Sequence, residues 1–171
     1  MRSLFVVGAC ALAVIALAAC GGGSSHPSSQ TVRGSGNEFL FQAPYSWHVR
    51  RQDSQVQVAP KPVSPELVSV SVFPLLHPYN PSLFTAATRE LDADARQLAT
   101  RLGGTVKKAS TVTLGGIKGR QYELAYQSGG NDFHQRITFV LRRKIEFQLL
   151  CRWTGDEPSA CAQLEKTFRP F

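Results

Sequence analysis

Four cysteines and four histidines are the side chains of this 171-residue sequence best suited to nucleophilic, metal or redox chemistry. Their spacing restricts what they can do. A metal site needs ligands at short, recurring separations, and a redox dithiol needs C-x-x-C. Cys10, Cys20, Cys151 and Cys161 supply neither, and no histidine stands near Cys151 or Cys161 to complete a ligand set. His26, His48, His77 and His134 are dispersed, and no H-E-x-x-H, G-x-S-x-G or S-x-x-K accompanies them. His134 beside Asp132 would be a minimal dyad, but such a pair at the start of a strand is ordinarily just exposed. Twin glycines at 103–104, 115–116 and 129–130 sit where turns are expected and lead no phosphate-cradling loop into a helix. No catalytic residue, metal ligand or cofactor is expected, so the chain reads as a non-enzyme.

The use of the thiols depends on where the chain resides. Arg2, the apolar run 4–19 and the small residues Ala18 and Ala19 form an export signal with a cleavage site. As a permanent anchor the run falls short of the ~20 residues that span a bilayer. Leu17-Ala18-Ala19-Cys20 resembles the lipobox of bacterial lipoproteins. That resemblance implies transfer of diacylglycerol to the Cys20 thiol, cleavage before Cys20, and a mature protein held by lipid to the outer, extracytoplasmic face of a membrane. Cys10 then leaves with the signal and Cys20 takes the lipid. Cys151 and Cys161 remain, and an even remainder in an exported chain reads as a disulfide.

The elements that would position any site follow from periodicity. Residues 1–19 are the signal, 20–37 read as a Gly/Ser/Pro tether with random-coil behaviour, and 38–171 read as one domain. Residues 38–42 and 47–51 are expected as strands joined in a hairpin-like opening. Prolines 60, 62 and 65 allow only a short extended piece at 56–58 before the alternating strand 68–72. Asn80-Pro81 caps a helix whose apolar stripe runs from Leu83 to Leu102, with Asp92 and Arg96 as an i,i+4 pair and Gly103-Gly104 as its end. Four runs, 105–114, 118–127, 133–142 and 145–153, form a meander with a tight turn near Arg143-Lys144. Their alternation assigns Tyr122, Leu124, Tyr126, Ile137, Phe139, Leu141, Ile145, Phe147, Leu149, Cys151 and Trp153 to one face. A short helix over 158–168, capped by Asp156, closes the chain and aims Cys161 at Cys151. The fold class is therefore α+β: an antiparallel sheet of about six to seven strands with one long and one short C-terminal helix packed on it.

This order of elements resembles the PsbP-like family, which includes extrinsic photosystem II subunits, a nuclear-transport factor and many exported bacterial lipoproteins. The resemblance is carried by Phe39-Leu40-Phe41-Gln42-Ala43-Pro44-x-x-Trp47, by Gly116-x-x-Gly119-x-x-Tyr122, and by Cys161-x-x-Leu164-x-x-x-Phe168-Arg169. It implies an α-β-α sandwich with an adaptor or binding role and no catalytic apparatus. The matching positions are core and turn positions, so no functional residue carries over.

The stretch 73–81 is the least ordinary of the domain, with three prolines among large apolar and aromatic side chains. Its prolines are expected to keep it out of helix and sheet. If exposed, Phe73, Leu75, Leu76, His77 and Tyr79 make a partner-binding surface; the alternative is that they fold back over the core. The formal charge of +7 is spread in short basic pairs, which ordinarily form a solvated face. Exported and lipid-held, such a chain meets anionic headgroups, wall components or envelope proteins rather than nucleic acid. The expectation is a non-enzymatic binding or adaptor module at the cell envelope; the alternative is a small-molecule or lipid carrier with an apolar cleft between helix and sheet.

Overall fold

A computed structural model describes residues 28–171. The signal 1–19, Cys20, His26 and the first part of the expected tether lie outside the described residues. From Ser29 onward the tether expectation is overturned. Ser29–Arg33 is a strand, β1, paired antiparallel with β2, Phe39–Pro44. Composition alone hid it, because Val32 is its one buried side chain and the rest of its hold on β2 is polar: the backbone ladder, the Gln30 amide donating to the Pro44 carbonyl, and Thr31 Oγ1 accepting from Gln42. Gly34-Ser35-Gly36-Asn37 is thus a hairpin loop, with Gly34 N–H donating to the Phe39 carbonyl at 3.0 Å and Asn37 at φ 62.

β2 does not pair with β3, His48–Gln52. The turn at 44–47 carries the chain from a small sheet into a large one, and β3 pairs instead with β4, Gln55–Ala59. The small sheet has the order β1-β2-β9, with β9 formed by Arg169–Pro170. In the large sheet the order is β3-β4-β5-β8-β7-β6, where β5 is Leu67–Tyr79, β6 Thr105–Leu114, β7 Ile117–Ser128 and β8 Asn131–Trp153.

A straight strand of the 23 residues in β8 would span roughly 75 Å. Yet His134 and Trp153, near its two ends, stack with ring centroids 5.6 Å apart. β8 therefore doubles back, at the exposed Arg143 and Lys144, where Arg143 takes φ 54. A positive φ at the first central residue suits a two-residue hairpin turn. The arm 131–140 pairs with β7 and the arm 145–152 with β5. The expected reversal thus stands, but the expected faces do not. Ile137 and Phe139 pack with Tyr122 and Leu124, whereas Phe147, Leu149, Cys151 and Trp153 pack with Val140 in a different core. A two-residue turn sets even positions of one arm opposite odd positions of the other, and a one-position change of phase moves a whole side-chain row across the sheet.

Each face has its own cover. Asn80 caps a 3₁₀ turn at Pro81–Leu83, its side chain accepting from Ser82 N–H at 3.0 Å, and the α-helix α1, Phe84–Arg101, follows. α1 lays Leu91, Ala95 and Ala99 on Tyr122, Leu124, Ile137 and Phe139. Leu83, counted at the start of the stripe, is exposed. On the other face α2, Ser159–Thr167, and the small sheet enclose Phe39, Phe41, Phe147 and Phe168. Asp156 does not cap α2; Pro158 stands at its N-cap with no side-chain bond. Cys151 on β8 and Cys161 on α2, both buried, are joined in a disulfide with Cα atoms 5.6 Å apart. The fold is α+β with helices on both sides of an antiparallel sheet.

Candidate functional site

Prolines were expected to exclude 73–81 from the sheet, but β5 continues to Tyr79. The reason lies in its neighbours. Gln55 opposite Ser71 is the last pair with β4, and Val72 N–H makes one more bond there, to the Ser54 carbonyl at 2.8 Å, so beyond Val72 β5 has a partner on one side only. An edge tolerates proline because no N–H is lost to a ladder there. Pro74 stays in register with Ile145, the register then shifts, and pairing resumes at Tyr79 opposite Arg143. Residues 75–78 bulge between these two clamps.

The five candidate side chains accordingly split. Leu76 is 94% exposed and Phe73 41%, with His77 also outward, while Leu75 and Tyr79 are half-buried. Neither expectation for this stretch holds for all of it: it presents an apolar ridge and is pinned beneath. Burial pushes the Tyr79 phenol above its ordinary value.

Tyr79 also opens a cleft of about 530 Å³, floored by Phe84, Ile117 and Leu141 and rimmed by Lys118, Arg142 and Arg143. It lies where the start of α1, the β6–β7 turn and the β8 reversal meet. The turn is set by packing as well as by backbone: at Gly115, φ 56, a Cβ would come within 2.6 Å of Pro170 Cδ. The Arg142 guanidinium donates to the Pro170 carbonyl, which fastens the C-terminal strand beside the cleft. Among the described residues no ion pair within 4.0 Å involves Lys118, Arg142 or Arg143.

The histidines within the described residues do not converge. His48 is exposed at the start of β3, His77 is on the bulge, and His134 stacks on Trp153. Asp132 accepts from Gln127 Nε2 at 2.8 Å rather than from His134. Among the described residues no group of three His, Cys, Asp or Glu could hold a metal ion.

Two polar constellations went unforeseen because their members are brought together by register and helix docking. Asp92 does not bond to Arg96. Its Oδ1 accepts from Arg120 Nε at 2.9 Å and from the Tyr122 hydroxyl at 2.6 Å, tying α1 to β7. Burial pushes the Asp92 carboxyl up, but these bonds and the Arg120 charge outweigh it and hold the carboxyl below its ordinary value. Burial and the bond to Asp92 push the Tyr122 phenol up. On the opposite face Arg136 forms a bidentate pair with Glu157, at 2.6 and 2.9 Å, and lies within 3.5 Å of Glu123 and Glu165. Its guanidinium also covers the Trp153 ring at 5.6 Å. Burial raises the Glu165 carboxyl, with Arg136 opposing. Glu123 stands opposite Arg136 in the β7–β8 register; Glu157 and Glu165 arrive with α2 and its leading loop. Both constellations join a helix to the sheet, and the cleft touches neither.

Comparison with solved structures agrees with the fold. Cyanobacterial PsbP (CyanoP) from Synechocystis sp. PCC 6803 superposes with a TM-score of 0.62 at 14% identity, over 91% of this chain and 99% of that one. LpqN, involved in cell envelope biogenesis of Mycobacterium tuberculosis, gives 0.55 at 13% identity, over 82% and 89%. A protein from Bacteroides thetaiotaomicron VPI-5482 gives 0.58 at 12% identity over 85% of this chain, which spans about half (49%) of that protein. No protein-family model and no curated protein matches the sequence. The PsbP-like architecture is thus shared at the level of fold.

Proposed function

We propose that this chain is a lipid-anchored, non-enzymatic binding module of the cell envelope that meets its partner through the 73–79 end of the sheet. The observation that carries the reading is the apolar ridge of Leu76 and Phe73, held outward on a clamped strand beside a cleft. A rigid, exposed apolar ridge is costly in water unless something covers it. The lipobox-like Leu17-Ala18-Ala19-Cys20 supports anchoring, and a disulfide supports an oxidising, extracytoplasmic setting. That LpqN is described as involved in cell envelope biogenesis fits the same setting. Leu76→Asp is expected to remove at least ~90% of the covalent product formed with the partner on crosslinking in intact cells, a loss of about 1.4 kcal/mol in binding. The melting temperature should stay within about 2 °C, because an exposed side chain contributes little to packing. A lowered melting temperature with undiminished crosslinking would assign Leu76 to the fold and not to binding.

The cleft favours a second reading, a carrier of a small amphiphile, since its volume suits such a ligand and its floor is apolar beneath three cations. A small molecule retained in native mass spectrometry of the protein taken from its own envelope, and lost in Leu141→Arg, would favour the carrier over the module.

A further inference from the structure

The exposed large apolar side chains of the described residues fall at the two ends of the sheet. Phe73, Leu76, Leu83 and Phe171 belong to the end that holds the β8 reversal and the cleft, where Phe171 N–H donates to the Glu38 carbonyl. Tyr45 and Val63 belong to the other, at 56% and 92% exposure. Ser28, the first described residue, is at this second end, because its carbonyl accepts from Tyr45 N–H at 3.2 Å. His48 pairs with Ala59 beside it, and Lys61 and Val63 line a hollow with His48 and Arg50.

This placement constrains a lipid on Cys20. Even fully extended, the chain from Cys20 to Ser28 reaches at most about 30 Å. A tether running to residue 37 would leave the domain free to stand on either end. With β1 folded into the sheet, the chain leaves the domain at the Tyr45 and Val63 end, so this end lies nearest to a lipid on Cys20. The side chains of that end suit contact with a membrane. Tyrosine partitions to the headgroup level, valine enters the acyl boundary, and Lys61 and Arg50 attract anionic headgroups. Of the acids at this end, Asp132 opens β8 and accepts from Gln127, Asp156 and Glu157 lie in the loop before α2 with Glu157 held by Arg136, and Glu66 is half-buried.

The geometry points to Tyr45, Val63, Lys61 and Arg50 as a membrane-seating face that rests on anionic headgroups, with the 73–79 ridge and the cleft directed away from the bilayer. It rests on the reading of Cys20 as lipidated. The test uses the full lipidated chain in vesicles of phosphatidylcholine and phosphatidylglycerol at about 7:3, carrying a fluorophore at Val63→Cys or at Leu76→Cys, with a quencher placed in the headgroup region of the lipid. Quenching is expected to be at least threefold stronger at position 63, and to fall by about half in Arg50→Glu/Lys61→Glu. Equal quenching at the two positions, or stronger quenching at 76, on vesicle-bound protein overturns the orientation alone. Failure of the unsubstituted chain to stay with the vesicles overturns the anchoring and the orientation together.

Discussion

Cys20→Ser is expected to move the protein from the membrane pellet to the soluble fraction almost completely. Each buried methylene of an acyl chain contributes about 0.8 kcal/mol, so one chain binds marginally and the two of a diacylglycerol bind stably. A serine hydroxyl in place of the thiol removes the thioether to which they attach. Little else would hold the protein: among the described residues no helix is long and apolar enough to cross a membrane. The basic side chains of the seating face add an attraction that salt screens. Cell fractionation at high salt checks this. A Cys20→Ser chain that still pellets would mean that residues 4–19 stay attached and act as the anchor.

Removal of the disulfide, in Cys151→Ala/Cys161→Ala, is expected to cost about 2.5–3 kcal/mol, the loop-closure value for so short a loop. On a domain of this size that is a fall of roughly 10 °C in melting temperature. The effect should be concentrated in one layer. Cys161 ties α2 to the second arm of β8, and α2 leads directly into Phe168 and β9. Freed from that clamp, α2 and β9 are expected to open below the global transition, and hydrogen exchange should show them losing protection before α1. An unchanged denaturation midpoint in the variant would show that packing of Phe39, Phe147 and Phe168 holds this layer without the bond.

Much of the domain was legible because it obeys simple periods. The 3.6 period and the Asn80-Pro81 cap located the long helix to within a turn, and period two with twin glycines located β6, β7 and the first arm of β8. Two independent stripes aimed Cys151 and Cys161 at each other, and they are joined. What failed depends on context that no local window contains. β1 holds too few apolar residues to announce itself and exists because β2 offers it a ladder. Pro74 and Pro78 are tolerated because β4 stops short, a fact of sheet order and not of sequence around residue 74. The side-chain phase across Arg143-Lys144 required the loop length, and continuing the alternation through the turn put Phe147 on the face of Ile137.

The candidate site was half legible for the same reason. Composition marked Phe73, Leu75, Leu76, His77 and Tyr79 as unusual but could not say which of them point outward. Lys118, Arg142 and Arg143, dispersed in sequence, come to one rim only when the β6–β7 turn and the β8 reversal are set side by side. Asp92 likewise chose Arg120 and Tyr122 over its helical neighbour Arg96, because sheet docking supplied two donors at close range.

The most direct test of the account is residue-resolved photocrosslinking in intact cells, with a photoreactive amino acid placed in turn at Leu76 and at Val63. A discrete protein adduct from position 76, with lipid adducts from position 63, is the predicted result. Lipid adducts from position 76 and a protein adduct from position 63 would contradict it, as would the absence of any protein adduct at position 76.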